Sequence, residues 1–145
     1  MIALVFPGQG SQTLGMGKDF YENFSVAREV FEQASEATQM DLAQIIFNGS
    51  EENLKQTQNA QVAIMTVSMA IMRALESESK KHAADFAKFC AGHSLGEYAA
   101  LTAAGSMEVK VAAALLKKRG LAMKDAAEIG GTAGMSAVLG LEKSA

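Results

Sequence analysis

The feature that most restricts the fold of this chain is a Gly-x-Ser-x-Gly pentapeptide at Gly92 to Gly96. An apolar run over residues 86–91 precedes it, and a helical pattern follows it. The pentapeptide alone also occurs by chance, but a strand that passes directly into a helix needs a tight turn. Such a turn exposes a strained serine, and the amides of the following helix stabilise negative charge beside it. Ser94 is therefore the candidate covalent nucleophile.

A second glycine-containing loop follows the first apolar run of the chain. Residues 2–6 are continuously apolar, which is typical of a strand buried on both faces, and the segment Pro7 to Gly10 ends it. A dinucleotide-binding fingerprint would need a third glycine where Thr13 stands. A P-loop would need lysine after Gly15, where Met16 stands. We interpret the loop as a source of backbone amides for an oxyanion hole.

The rest of the chain alternates between helical and strand-like patterns. Apolar spacing predicts helices over residues 20–37, 41–47, 58–75 and 108–127, and one more that runs from the serine turn to residue 104. A charged loop is predicted over 76–85 and a last strand over 133–141. The helix over 58–75 is apolar nearly all round, which predicts burial, and its methionines are interpreted as core. The alternation predicts an α/β fold with a parallel sheet and a site at the carboxyl ends of its strands.

Composition agrees with an ordinary cytoplasmic enzyme that has one domain core. The chain has 145 residues and a net charge of −3, which argues against nucleic acid as a partner. Its single cysteine, Cys90, cannot form an intramolecular disulfide, suits a reducing compartment and is interpreted as a small core residue. No secretory signal is recognisable, and the apolar windows are too interrupted to predict a membrane span.

Three motifs together resemble those of a known family. The segments 6–12, 92–98 and 118–120 are similar in order and spacing to motifs of malonyl-CoA:acyl carrier protein transacylases of fatty-acid synthesis, and the run 134–140 is similar as well. The resemblance implies an α/β-hydrolase-like core over residues 1–130 with a parallel sheet and a nucleophile elbow. Residues 131–145 would begin a small ferredoxin-like subdomain. The resemblance spans the whole chain, but the chain spans only about half of the family's usual length.

The resemblance implies a ping-pong acyl transfer. Ser94 would take the malonyl group from malonyl-CoA as an ester and pass it to the phosphopantetheine thiol of acyl carrier protein, with no metal or redox cofactor. The backbone amides of Gln9 and Leu95 would form the oxyanion hole, Leu95 being the residue after the nucleophile. Arg119 would bind the free malonyl carboxylate, because a planar guanidinium matches a carboxylate bidentately.

Other positions carry weaker assignments. By the resemblance, His93 would help to hold the turn and line the pocket, and Gln61 would lie near the pocket. Val62 replaces the proline that usually follows this glutamine, so the start of the helix there stays open, and Lys124 replaces a usual glutamine, so its role stays open. Without the resemblance, Arg119 would be interpreted as a solvated member of a basic run.

A serine nucleophile needs a general base, and the chain contains two histidines. His82 lies in the predicted charged loop and is interpreted as solvated, while the side chain of His93 should leave the turn in a different direction from Ser94. In the family the base is a histidine farther downstream than residue 145. The chain is therefore expected to be an N-terminal fragment without transacylase activity of its own; the alternative is that a partner supplies the missing part. Met1 stands almost on the first strand, which suits a discrete enzyme.

Three alternatives stay open. A serine esterase would share the strained turn but lack a carboxylate-binding arginine. A non-catalytic binding module would keep the fold without the base. An acyltransferase domain of a polyketide synthase would differ mainly in its context.

Overall fold

The computed structural model describes residues 1–129 and 140 and consists mainly of helices beside a small parallel sheet. Its strands are β1 (Ala3–Phe6) and β2 (Phe89–Gly92). Its α-helices are α1 (Lys18–Asn23), α2 (Ser25–Thr38), α3 (Glu51–Lys55), α4 (Thr57–Ser79), α5 (Ala83–Phe86), α6 (Gly96–Ala103) and α7 (Val109–Ile129), and a π-helical turn spans Gln44–Asn48. The strand predicted over 133–141 and the boundary predicted at residue 130 lie outside the described residues, apart from Gly140.

The two strands bring both glycine-containing loops to one edge of the sheet. β1 and β2 pair in parallel, with Ala3 opposite Phe89 and Phe6 opposite Gly92. The N–H of His93 donates to the carbonyl oxygen of Phe6 at 3.1 Å, which continues the pairing by one residue. The parallel pairing predicted from the sequence is confirmed, and the chain segments that leave the two strands therefore start side by side.

The strands are shorter and more exposed than predicted. The strand expected over 86–91 begins only at Phe89, because Phe86 ends α5. Val5 is 75% exposed and Phe89 is 60% exposed, whereas Phe6 is buried. Successive side chains point to opposite faces of a sheet, and no other described residue covers the face that carries Val5. The prediction of a first strand buried on both faces is therefore wrong for the described part of the chain.

The helix predicted over 20–37 is two helices that meet at Phe24. Phe24 has an extended backbone, with φ −123° and ψ 119°, and serves as the N-cap of α2. The guanidinium of Arg28 donates to the carbonyl oxygens of Tyr21 and Glu22 at 3.0 and 3.1 Å. These bonds satisfy carbonyls at the end of α1 that have no partner within that helix. The break is thus stabilised by a side chain from the next helix.

The charged segment 76–85, predicted as a loop, is mostly helical. α4 runs into this segment, and α5 begins within it. The carboxylate of Glu76 accepts the N–H of Ala83 at 2.9 Å, and that of Asp85 accepts the N–H of His82 at 2.8 Å. Carboxylates at the start of a helix satisfy amides that lack a helical partner. The charges therefore stabilise a tight connection between two helices.

α4 is the buried centre of the described molecule. α2 and α7 pack against it, and its residues are buried along most of their length, including Met65, Met69 and Met72. The buried helix and the core role of its methionines are confirmed. The short helix predicted over 41–47 is present with a π-helical turn. The helix predicted from the serine turn to residue 104 corresponds to α6, and the helix predicted over 108–127 corresponds to α7. No helix in the described part of the chain has the length and apolar character needed to cross a membrane.

Candidate active site

Ser94 occupies the turn between β2 and α6. Its backbone φ is 55°, in the left-handed region that residues with a Cβ rarely adopt, and its side chain is exposed. Such a conformation costs about 1–3 kcal/mol and persists only where the surroundings enforce it. Strand, strained serine and helix follow one another in the order that the motif predicts.

The two glycines of the motif allow backbone segments to touch. A Cβ on Gly92 would lie 2.0 Å from the backbone carbonyl of Gly96. A Cβ on Gly96 would lie 2.4 Å from the carbonyl oxygen of Phe6. Since these neighbours are backbone atoms, no rotamer change would relieve the overlap. The glycines hold the turn closed against the end of β1.

The loop after β1 lies directly against this turn. A Cβ on Gly8 would lie 2.4 Å from Nδ1 of His93 and 2.9 Å from its carbonyl oxygen, so the imidazole packs on the loop backbone. Leu95 is fully buried at the start of α6, and the Gln9 side chain donates to Thr57 Oγ1 at 3.4 Å. The backbone amides of Gln9 and Leu95 donate no hydrogen bond to another described residue. Their oxyanion role stays a prediction, with both amides at the same edge of the sheet.

Arg119 reaches Ser94 from α7. Its Nη2 donates to Ser94 Oγ at 2.9 Å, and its Nη1 donates to Oε1 of Gln61 at 2.5 Å. Arg119 is half-buried, whereas the adjacent Lys118 is exposed. The interpretation of Arg119 as a solvated member of a basic run is therefore wrong, and its guanidinium stands beside the candidate nucleophile.

Gln61 links α4 to this guanidinium. It is fully buried, and its Nε2 approaches the sulfur of Met123 at 3.3 Å. The helix that contains it begins at Thr57, so Val62, in place of the usual proline, is an interior helical residue. Ser94, Arg119 and Gln61 form one hydrogen-bonded cluster.

Two residues considered from the sequence lie apart from this cluster. Lys124 is exposed, and its ammonium lies 3.8 Å from the carboxylate of Glu128 on the same helix. The His82 side chain is 85% exposed and lies 3.9 Å from Glu76. Among the described residues, neither His82 nor His93 forms a hydrogen bond with Ser94 Oγ.

Sequence reasoning included Gly120 in the motif 118–120 without assigning it a role, and it missed Met123. Gly120 is buried, and a Cβ there would lie 2.4 Å from Cα of Gln58 in α4. A glycine inside a helical pattern is a signal of close packing that the sequence did contain. Met123 carried no signal, because a methionine at helical spacing is usually interpreted as core.

The described part of the chain contains no cluster of residues suited to hold a metal ion. Histidine, cysteine, aspartate and glutamate do not come together there in any group of three or more that could hold an ion. Cys90, the free cysteine, is half-buried in β2.

Comparison with known proteins points to one family. The model of the acyl transferase domain family matches residues 3–144. A malonyl CoA-acyl carrier protein transacylase from Bacillus subtilis is 44% identical over 144 residues, which is 99% of this chain and 44% of that protein.

Solved structures that resemble this chain carry names of the same kind. An acyl-carrier-protein-S-malonyltransferase from Bartonella henselae is 49% identical, with a TM-score of 0.83 over 87% of this chain and 40% of that one. A malonyl-transacylase solved with a holo type II polyketide-synthase acyl-carrier protein is 41% identical, with a TM-score of 0.78 over 86% of this chain and 39% of that one. This chain spans less than half the length of these relatives.

Proposed function

Because this chain belongs to the acyl transferase domain family, we propose that the protein transfers malonyl groups from coenzyme A to acyl carrier protein in fatty-acid biosynthesis. One observation carries the proposal, which is the 2.9 Å hydrogen bond from Arg119 to the hydroxyl of Ser94. A guanidinium recognises carboxylates, and a malonyl group places a carboxylate close to its reacting carbonyl. The names of the three similar proteins, each of which is a malonyl transacylase or malonyltransferase, support this assignment.

In the proposed reaction Ser94 acts from a nucleophile elbow. Its hydroxyl oxygen attacks the thioester carbonyl of malonyl-CoA, the carbon–sulfur bond breaks, and coenzyme A leaves as the thiol. The phosphopantetheine thiol of the carrier protein then attacks the seryl ester and regenerates the Ser94 hydroxyl. In both steps the amides of Gln9 and Leu95 stabilise the oxyanion, each contributing about 3 kcal/mol to lowering the barrier.

Arg119 selects the acyl group in this proposal. Its guanidinium exchanges the Ser94 hydroxyl for the malonyl carboxylate, while Gln61 keeps hold of Nη1. An acetyl group offers no such partner and would leave a half-buried cation without its counter-ion. The same residue distinguishes this function from that of a simple esterase.

We assign the remaining catalytic parts to sequence beyond these residues. Neither histidine of the described part bonds to Ser94, so the general base would come from the additional length that the relatives possess. His93 supports the turn through its contact with Gly8. Residues 1–130 would form an α/β-hydrolase-like core, and residues 131–145 would begin a ferredoxin-like subdomain. A cytoplasmic location belongs to the same proposal, because the half-buried free thiol of Cys90 suits a reducing compartment.

Transfer of radiolabelled malonyl from coenzyme A to holo acyl carrier protein by the complete gene product tests the proposal. We expect labelled carrier protein and little free malonate. Free malonate formed equally fast without acceptor would identify an esterase instead. Failure of a serine-directed phosphonate to label Ser94 would identify a non-catalytic binding module. Transfer confined to a polyketide carrier protein would replace fatty-acid synthesis by polyketide synthesis.

A further inference from the structure

We propose that Gly120 is a positioning residue for Arg119, because it lets α7 touch the backbone of α4 at the point where the guanidinium is held. The inference rests on the proposed function, in which Arg119 binds the carboxylate of the acyl group. It adds a residue that touches neither the substrate nor Ser94.

The contact at Gly120 joins two backbones without an intervening side chain. A Cβ at this position would lie 2.4 Å from Cα of Gln58, 3.0 Å from its backbone nitrogen and 3.1 Å from the carbonyl oxygen of Thr57. All three atoms belong to the backbone at the start of α4, so a side-chain rotation could not make room. Glycine is a poor helix former, and its place inside a 21-residue helix needs a packing reason.

The same stretch of α7 holds the active-site cluster together. Arg119 immediately precedes the glycine, and Met123 follows it by three residues, on the same face of the helix. Both side chains contact Gln61, which stands three residues after Gln58. The separation of the two helices at Gly120 therefore sets the distance from which Arg119 approaches Gln61 and Ser94.

The size of the expected loss in malonyl transfer follows from how far a Cβ at position 120 would overlap the backbone of α4. Ordinary Cβ contacts begin at 3.4 Å, so an alanine at position 120 would move α7 away from α4 by about 1 Å. A misplacement of about 1 Å at a reacting centre can cost about 100-fold in rate. We expect Gly120→Ala to lower kcat/KM for malonyl transfer about 10- to 100-fold relative to acetyl transfer.

The experiment compares malonyl and acetyl transfer by the complete gene product and by its Gly120→Ala, Arg119→Ala and doubly substituted forms. A positioning role predicts that Gly120→Ala lowers the malonyl-to-acetyl ratio and that it has no further effect on this ratio once Arg119 is gone. Val109→Ala is the control, because it removes buried methyl groups at the first residue of α7, away from Gly120. It should leave the ratio unchanged.

Other outcomes separate the inference from the proposed function. Absence of malonyl transfer by the unsubstituted protein would refute the proposed function itself. If that protein discriminates normally, an equal loss for both acyl groups in Gly120→Ala would overturn the positioning role. So would a loss of the same size in the Arg119→Ala background. A Gly120→Ala protein that fails to fold, as judged by circular dichroism and acetyl transfer, would also overturn it, because Gly120 would then serve the fold as a whole.

Discussion

At the scale of single residues, the site combines a strained serine with a cation that arrives from a distant helix. Ser94 and Arg119 are 25 residues apart in the chain but share a hydrogen bond. The left-handed backbone of Ser94 exposes its hydroxyl, and the buried amide of Gln61 fixes the direction from which the guanidinium approaches. In the proposed function, this arrangement places a guanidinium that can bind an anion beside the candidate nucleophile.

Arg119→Ala should impair malonyl transfer much more than acetyl transfer. Loss of a charged hydrogen-bonded pair removes about 1.5–3 kcal/mol from the carboxylated substrate alone, which corresponds to roughly a 10- to 150-fold change in relative kcat/KM. Steady-state kinetics of the complete gene product with both acyl-CoA substrates measure this ratio. Lys118→Ala is the matched control, since Lys118 is exposed and should leave the ratio unchanged. Equal losses for the two substrates in Arg119→Ala would contradict the pairing.

How far the sequence predicts these residues depends on whether the signal is local. Ser94 was identified because the backbone around it imposes a local pattern of glycines. Arg119 was identified only through the family resemblance, since a basic residue on a helix gives no hint of which neighbour it meets. Met123 was not identified, because its contact with Gln61 exists only once α7 is packed on α4.

At the scale of secondary-structure elements, the serine turn depends on the contact between α6 and the end of β1. Gly96→Ala should destabilise the protein by about 1–3 kcal/mol, because its Cβ would overlap the carbonyl oxygens of Phe6 and Pro7. Denaturant unfolding measures the loss. Glu97→Ala, at an exposed position of the same helix, should change stability by less than about 0.5 kcal/mol. A Gly96→Ala protein as stable as the control would mean that the backbone contact is absent.

One ion pair between elements predicts a dependence on pH. The ammonium of Lys110 on α7 donates a hydrogen bond to the carboxylate of Glu36 on α2, and this bond, together with the positive charge, lowers the pKa of Glu36 below its ordinary value of 4.5. A lowered folded-state pKa contributes stability above the ordinary value, and that contribution is lost as the pH falls through the lowered pKa.

Lys110→Gln should therefore lower the melting temperature slightly at pH 7 and not at all at pH values below the lowered pKa of Glu36. The difference should also shrink at high salt, because the pair is exposed. Lys118→Gln removes the same charge from another exposed position of α7 and serves as the control. A difference between Lys110→Gln and the unsubstituted protein that persists unchanged in acid would exclude the pair as its source.

The helices and strands are predictable from the sequence where their apolar pattern is strong. They are less predictable where hydrogen bonds from side chains decide at which residue a helix begins or ends. The buried helix α4 followed directly from its apolar pattern. The break at Phe24 did not, because Arg28 stabilises it through carbonyls of the preceding helix. The helical start of α5 was missed because Glu76 and Asp85, interpreted as loop charges, accept backbone amides there.

At the scale of the whole molecule, the described residues include a site in which neither histidine bonds to Ser94 and a sheet with one exposed apolar face. Val5 and Phe89 lie largely open on β1 and β2. The relatives are more than twice as long as this chain, since it covers 44% of one and 40% of another. The proposed activity therefore belongs to the complete protein.

Purified residues 1–145 should not catalyse malonyl transfer to acyl carrier protein. A serine without a general base is a weak nucleophile, and positioned acid–base catalysis commonly contributes about 100- to 10,000-fold in rate. The complete gene product, assayed beside it, is the reference. Turnover by residues 1–145 within tenfold of that reference would show that the base lies within this sequence.

The central claim, that Ser94 carries the malonyl group, is tested most directly by trapping the acyl-enzyme. The complete gene product is mixed with malonyl-CoA in the absence of carrier protein, quenched in acid, digested and examined by mass spectrometry. We expect one malonyl ester, on the peptide that contains Ser94. This ester should disappear when holo acyl carrier protein is added before quenching, and it should not form in Ser94→Ala. A malonyl ester on another residue, or one that still forms in Ser94→Ala, would contradict the account.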